Sequence, residues 1–340
     1  MLRACLGATV VLTLTTGLAD AKDKLTEVKE RGQLRCAAHN SSHPGFAEIT
    51  SNGGWKGFDI DFCRAVATAI FGTDDKHLEL VPVSWAQRWP LLQSGEIDVS
   101  MKQSDWTESR DTELGLNFTR PYIIGVYQVM TRKKNGVSKI SDLDGGTICT
   151  VSGAFNERML ASYLKAHKLK IEVVTYDKWE EMTTAYVENR CDGLMLSAPP
   201  LAVTRANSSK PDDHVILDDV VAISGQSWAV KQGDDQWFKM MNWILSALWL
   251  AEQEGITSAN VDQFKATPPT PPVERLLGVS PGGGKRLGLQ DDWAYNMIKR
   301  YGNYGEIWER NLGQGSPFKL KRGLNGLWNA GGVHFPLAFD

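Results

Sequence analysis

The sequence lacks an excess of basic residues. Its 37 Lys and Arg residues are outnumbered by 40 Asp and Glu residues, and the net charge is −3. A chain without a basic excess has no electrostatic footprint for nucleic acid or for anionic lipid. We therefore expect no nucleic-acid partner, and the length of 340 residues allows two domains of ordinary size.

Long apolar runs are also scarce. The run LGATVVLTLTTGL at 6–18 follows Arg3 and precedes the small-x-small sequence ADA at 19–21. This pattern is typical of a secretory signal peptide, and the run is too short for a membrane anchor. We predict that residues 1–21 are a signal peptide and that the chain is exported. The other apolar stretch, 237–251, contains Lys239 and Asn242 and predicts a buried helix.

Cysteine is sparse, with five residues, of which Cys5 falls in the predicted signal peptide. The remaining four are Cys36, Cys63, Cys149 and Cys191. No Cys or His spacing fits a zinc site, so we expect no metal and no cofactor. An even cysteine count in an exported chain suggests disulfides. Three pairings are possible; the sequential one keeps each bridge in one half of the chain, and four buried free thiols are the alternative.

Catalytic arrangements are missing as well. No Ser-His-Asp or Cys-His set is visible, and Asp105 is the only obvious candidate for a general acid or base. We therefore do not expect an enzyme.

Alternating strand and helix patterns fill the first part of the chain. The helix at 57–72 shows a 3.6-residue apolar period, and short apolar runs predict its neighbouring strands. Such an order predicts a mostly parallel sheet. The predicted elements are a strand at 33–39, a helix at 57–72, a strand at 77–83, a helix at 86–95 and a strand at 97–101.

The same pattern restarts further along and predicts a second α/β unit. A strand and a long helix at 227–255 follow it, and the Pro- and Gly-rich stretch 267–288 predicts irregular structure. The predicted elements are a strand at 146–151, a helix at 155–167, a strand at 171–176, a helix at 178–190, a strand at 192–196 and a final helix at 291–302.

The polar stretch SMKQSDWTESRD, 100–111, contains the first candidate binding residue. It follows a predicted strand, and ligands of parallel sheets bind beyond the carboxyl ends of the strands. A guanidinium fork matches the two oxygens of a carboxylate, which suggests that Arg110 binds an anionic group. The alternative is a surface ion pair of Arg110 with Asp111 or Glu108.

Several segments in order resemble one family. GFDIDFCRAVA, LQSGEIDV, WTESRDTELGLNFTRPY, GNYGEIWERN and RGLNGLWNAGG are similar to periplasmic amino-acid-binding proteins of ABC importers, the family 3 solute-binding proteins, and most of all to the general L-amino-acid-binding group. The resemblance covers nearly all of the mature chain, including the long C-terminal extension.

The resemblance implies an α/β, two-lobed periplasmic binding protein fold of type II. Each lobe would be a mostly parallel sheet flanked by helices, with lobe 1 at 24–133 and 224–340, including the extended C-terminal segment, and lobe 2 at 136–221. The chain would cross between lobes near 132–136 and 221–226, and the lobes would close over a small-molecule ligand by hinge motion.

The resemblance also implies roles for residues and partners. Arg110 would hold the α-carboxylate of the ligand, Thr107 would support its loop, and Trp106 lies beside it. The cysteines match the pattern of the group, so we predict Cys36–Cys63 and Cys149–Cys191 bridges. The implied protein is a periplasmic monomer, without catalysis, that delivers its ligand to an ABC transporter membrane permease.

Three departures from the family pattern affect the ligand. Asp105 stands where small hydroxyl residues are usual, and it could partly neutralise Arg110 or hold a ligand cation. The lobe 2 loop keeps Gly153, but Ala154 and Phe155 replace the usual threonines, so backbone donors remain while a hydroxyl is lost. Ser197 stands where an aspartate pairs with the α-ammonium.

These departures leave two ligand classes open. Asp105 could take over the ammonium of an amino acid, or the ligand could be a betaine, an organic acid or a heteroaromatic amine. Aromatic faces bind methylated ammonium groups, although core packing is the commoner role of tryptophan. A dehydratase-like enzyme on the same scaffold is a remote alternative. The tryptophans considered for cation binding are Trp55, Trp85, Trp89, Trp106, Trp179 and Trp228.

Overall fold

The computed structural model describes residues 23–340, so the predicted signal peptide lies outside the described residues. The strands are β1 (Leu34–His39), β2 (Glu48–Ile49), β3 (Trp55–Lys56), β4 (Leu78–Val83), β5 (Val99–Asp105), β6 (Leu116–Phe118), β7 (Ile123–Arg132), β8 (Thr147–Val151), β9 (Glu172–Tyr176), β10 (Gly193–Ser197), β11 (His214–Ile216) and β12 (Ala222–Lys231). The helices are α1 (Lys24–Arg31), α2 (Phe58–Phe71), α3 (Arg88–Ser94), α4 (Glu108–Glu113), α5 (Phe155–His167), α6 (Trp179–Val187), α7 (Ala198–Asn207), α8 (Asp235–Gln253), α9 (Val261–Ala266), α10 (Pro271–Leu276), α11 (Gly283–Arg286), α12 (Trp293–Tyr301) and α13 (Tyr304–Asn311).

The first group of strands forms one half of the sheet, in the order β4-β1-β5-β12. β1 pairs in parallel with β4 and β5, and β12 runs antiparallel to β5. The apolar face of α2 covers this half, and a Cys36–Cys63 disulfide with a Cα–Cα distance of 6.0 Å joins β1 to α2. We call this half, with the helices packed on it, lobe 1.

The second group of strands follows the order β7-β10-β8-β9. β8 pairs in parallel with both β9 and β10. A Cys149–Cys191 disulfide closes this half at a Cα–Cα distance of 5.7 Å, so both predicted bridges are confirmed. We call this half lobe 2, and α5, α6 and α7 pack on it.

β7 and β12 connect the two lobes. Their antiparallel ladder makes one hydrogen-bonded path of strands through both lobes, and not two separate sheets. The first half of β7 pairs with β12, while Tyr127–Thr131 pairs with β10 of lobe 2. We therefore propose that the first crossover lies inside β7, earlier than the predicted 132–136, because one continuous strand spans the hinge. The predicted crossover near 221–226 coincides with the start of β12.

The C-terminal part of the chain thickens lobe 1. The apolar helix α8 is buried as predicted, and α12 and α13 pack against it and α2. The stretch 267–288 holds the short helices α10 and α11 where irregular structure was predicted, and α13 was not predicted. In residues 23–340, no helix combines the length and apolarity that crossing a membrane requires.

Candidate functional site

A cavity lies where the strand ends of the two lobes face each other. Its free volume is about 30 Å³, well below the roughly 300–1,000 Å³ typical of small-molecule sites, so the two lobes leave little space between them in this structure. Four of the predicted site residues line it: Asp105, Ala154, Phe155 and Ser197. The other lining residues are His43, Trp85, Arg88, Gln103, Tyr127, Val151, Asn156, Trp179, Leu196, Pro200 and Gln226.

Asp105 is the last residue of β5 and is buried. The strand continues to Asp105, four residues past its predicted end at residue 101, because hydrogen bonds from the hinge strands satisfy its polar end. Tyr127 Oη donates to Asp105 Oδ1 at 2.5 Å, and Gln226 Nε2 donates to Tyr127 Oη at 2.8 Å. Burial raises the pKa of Asp105, opposed by the Tyr127 hydrogen bond and the Arg110 charge.

Arg110 lies beside Asp105 and just behind the cavity wall. Its Nη1 donates to the Asp105 backbone carbonyl at 2.8 Å and is 3.9 Å from the Asp105 carboxylate. Its buried Nε and Nη2 atoms find no hydrogen-bond partner among residues 23–340. These two nitrogens form the side-on edge that matches a carboxylate. Burial lowers the pKa of Arg110 to about 10, against the opposing effect of Asp105.

Arg88 is a cavity residue that sequence reasoning did not identify. It begins α3, is only 1% exposed and lies 3.9 Å from the Trp89 ring and 5.2 Å from the Trp85 ring. Its Nε and Nη1 have no hydrogen-bond partner in the described part of the chain. Burial lowers the pKa of Arg88, and the neighbouring Arg110 charge lowers it further. A buried guanidinium with vacant donors is costly unless an anionic group pairs with it.

The lobe 2 loop presents the N-terminus of α5 to the cavity. Gly153 adopts a φ of 66°, which favours glycine, and its N–H donates to Glu157 Oε2 at 2.8 Å. That backbone donor is therefore already occupied within the loop. Ala154 is the N-cap, and the Phe155 ring lies 5.2 Å from the Tyr127 ring.

Ser197 ends β10 and is the N-cap of α7. It is buried and pairs with Tyr127 in the strand register, so it lies across from the residue that binds Asp105. The structure thus brings Ser197 and Asp105 next to the same tyrosine, and both line the cavity. The cavity lining has a neutral hydroxyl where an aspartate was expected, and its carboxylate is that of Asp105.

The other predicted residues lie outside the cavity lining. The Thr107 hydroxyl caps α4 by accepting from the Arg110 N–H at 3.4 Å, which fits a supporting role. Trp106 is 45% exposed, and its side chain does not line the cavity. Of the tryptophans considered, Trp85 and Trp179 line the cavity, whereas Trp228 is fully buried in the core.

A buried polar network lies behind the lobe 1 wall. Asp59 Oδ1 accepts from Tyr122 Oη at 2.6 Å, and Asp59 Oδ2 is 3.5 Å from His39 Nε2. Burial raises the pKa of Asp59 to about 7, against the opposing hydrogen bonds from Tyr122 and Gln103. The Lys102 ammonium is anchored nearby, donating to the Val83 carbonyl at 2.7 Å.

Metal binding has no obvious place in this arrangement, since residues 23–340 contain no group of three His, Cys, Asp or Glu side chains suited to a metal ion. The cavity instead combines guanidinium donors, one carboxylate and aromatic walls. Such a set can hold a small molecule that carries a carboxylate and a cation.

Known proteins share this architecture. The family model of bacterial extracellular solute-binding proteins, family 3, matches residues 34–255. The general L-amino acid-binding periplasmic protein AapJ of Rhizobium johnstonii is 42% identical over 337 residues, covering 98% of this chain and 97% of that protein. The putative amino-acid ABC transporter-binding protein YhdW of Escherichia coli is 38% identical over 335 residues, covering 98% of each. A solved ABC transporter periplasmic binding protein from Brucella ovis with glutathione bound is 40% identical, with a TM-score of 0.88, and covers 94% of this chain and 99% of that one.

Proposed function

The chain belongs to the bacterial extracellular solute-binding proteins of family 3, and from this premise we propose that it captures an amino acid or an amino-acid-like molecule between its two lobes. Its fold is that of the type II periplasmic binding proteins. Its relatives are binding proteins, and we assign no reaction to the cleft.

One observation carries the proposal: Arg110, whose Nε and Nη2 have no partner among the described residues, lies beside the carboxylate of Asp105, and Asp105 lines the interlobe cavity. The ligand carboxylate would pair with Arg110, aided by Arg88, which faces the cavity directly. The ligand ammonium would pair with Asp105, which takes over the role that Ser197 cannot fill. Both charges of a zwitterion then have a partner, which a buried charge requires.

A second candidate ligand is a small peptide. The solved relative from Brucella ovis at 40% identity has glutathione bound. Glutathione carries the same α-amino and carboxylate groups as a free amino acid, so the same two partners would serve it. A betaine or an organic acid would use the carboxylate partner alone.

We further propose that the receptor works in the periplasm as a monomer and delivers its ligand to the membrane permease of an ABC importer. Relatives with this role in their names support the proposal. The predicted signal peptide at 1–21 would direct export.

A calorimetric and thermal-shift panel tests the ligand class. We expect at least one L-amino acid or glutathione to bind, and at 100 times its Kd to add about 2.7 kcal/mol of stability. Betaines, organic acids and heteroaromatic amines complete the panel. Binding only by ligands without an ammonium group would contradict the proposed role of Asp105. Conversion of prephenate or arogenate by the protein would contradict a role in ligand binding without catalysis.

A further inference from the structure

Two contacts join the lobes at the edge of the cleft. The His43 ring, in the loop between β1 and β2, stacks on the Trp179 ring of α6 at a centroid distance of 3.8 Å and an interplanar angle of 29°. Next to it, the Ser42 N–H donates to Glu180 Oε1 at 3.0 Å. Consecutive residues of lobe 1 thus contact consecutive residues of lobe 2.

The stack is held firmly from both sides. The His43 and Ala47 backbones exchange two hydrogen bonds of 2.8 Å, which fixes the loop as a tight turn, and the Phe46 ring lies 4.8 Å from His43. Trp179 packs in the apolar core of lobe 2. Both rings line the cavity and are more than nine-tenths buried. Burial lowers the pKa of His43, so the ring stacks in its neutral form.

A chain of ring contacts connects Arg110 to the stack. Arg110 and Arg88 lie 5.2 and 3.9 Å from the Trp89 ring, and Arg88 lies 5.2 Å from the Trp85 ring. Beyond Trp85 come His39 at 5.3 Å and then His43, 4.8 Å from His39. Because Arg88 and both rings of the stack line the same cavity, a ligand that is held by Arg110 and Arg88 and fills this cavity would meet the stack.

We propose that the His43–Trp179 stack is the end wall of the cleft and limits the length of the ligand. This inference rests on the proposed function. The wall forms only when the lobes are together, because its two rings come from different lobes. A short ligand leaves the stack intact, whereas a longer one must separate the rings and gives up their contact. An aromatic pair contributes about 0.5–1.5 kcal/mol, which corresponds to a change in affinity of up to about tenfold.

Calorimetry on two variants tests the wall, with L-glutamate, L-glutamine and glutathione as probes. His43→Ala removes one ring, and we expect it to raise the affinity for glutathione relative to the single amino acids by about tenfold. His43→Phe keeps a ring for stacking and should leave the ratio near that of the wild type.

His334 offers a matched control, because its buried ring stacks on Trp249 at 4.9 Å, away from the cleft. His334→Ala should lower Tm without changing the affinity ratio. An unchanged ratio in His43→Ala, with wild-type binding intact, would overturn the wall. An equal shift of the affinity ratio in His334→Ala would also overturn the wall. So would a wild type that binds none of the three probes, and that result would count against the proposed function as well.

Discussion

The two walls of the cleft differ in charge. Among the described residues that line the cavity, the charged side chains Arg88 and Asp105 both come from lobe 1, and Arg110 and Lys102 lie directly behind them. Lobe 2 contributes neutral residues: Val151, Ala154, Phe155, Asn156, Trp179, Leu196, Ser197 and Pro200. The difference in lining suggests that lobe 1 recognises most of the ligand's charge, while lobe 2 closes over it and shapes the space; Arg158 of α5 adds one lobe 2 charge close enough to act on Arg88 and Arg110.

Lobe 1 can carry these charges because its backbone and side chains hold them in place. Lys102 donates to strand carbonyls, and Arg110 donates to the carbonyl of Asp105. On lobe 2, Glu157 already occupies the Gly153 N–H at the start of α5. A buried charge costs several kcal/mol without partners, so such fixed partners are what make the charged wall possible.

We expect the largest loss of stability on removal of a disulfide, and each lobe has one. The bridges close separations of 27 residues in lobe 1 and 42 residues in lobe 2. In the chain-entropy model they contribute about 3.5 and about 4 kcal/mol to the free energy of unfolding. Urea unfolding of the Cys36→Ala/Cys63→Ala and Cys149→Ala/Cys191→Ala variants should show these losses. A loss below about 1 kcal/mol in either variant would contradict the model.

The buried carboxylate of Asp59 should make stability depend on pH. Its folded pKa of about 7 exceeds the unfolded value of 3.8, so its stabilising effect is full at acid pH and is lost as pH rises through 7. As the pH rises from 5 to 8, we expect the free energy of unfolding to fall by about 2–3 kcal/mol less in Asp59→Asn than in the wild type. Chemical unfolding at both pH values measures this.

The exposed Asp177 of lobe 2 offers a control for that experiment, because Asp177→Asn removes a surface carboxyl and should keep the wild-type pH dependence. Equal pH dependence in the wild type and Asp59→Asn would show that His39 and Lys102, which share the network, balance the carboxylate.

Removing the negative charge of the lobe 1 wall should separate zwitterions from simple anions. We expect Asp105→Asn to weaken the tightest-binding amino acid at least 30-fold, about 2 kcal/mol, and to spare its analogue without the amino group. Burial raises the pKa of Asp105, so this carboxylate takes up a proton sooner than an ordinary aspartate as the pH is lowered. Wild-type affinity for the amino acid should therefore begin to fall at a correspondingly higher pH. Equal losses for both ligands in calorimetry would argue against an ammonium partner.

The fold was largely predictable from the sequence, because helices such as 155–167 have clear apolar periods. The predicted helix there coincides with α5. The site was less predictable. In the sequence, Arg88 looked like an ordinary helix residue, and His43 lies in a loop without a motif. Both side chains are buried because segments distant in the sequence, including lobe 2, pack against them. A sequence shows charge, but not which charges folding will leave without partners.

The most direct test of the charged wall is calorimetry on Arg110→Lys. Lysine keeps the charge but has no side-on edge, so we expect the affinity for the best carboxylate ligand to fall at least tenfold, about 1.4 kcal/mol. Arg88→Lys should also weaken binding, while Arg205→Lys, on the exposed face of α7 in lobe 2, should not. Wild-type affinity in Arg110→Lys, with the fold intact, would contradict the claim that lobe 1 recognises the ligand carboxylate through this arginine.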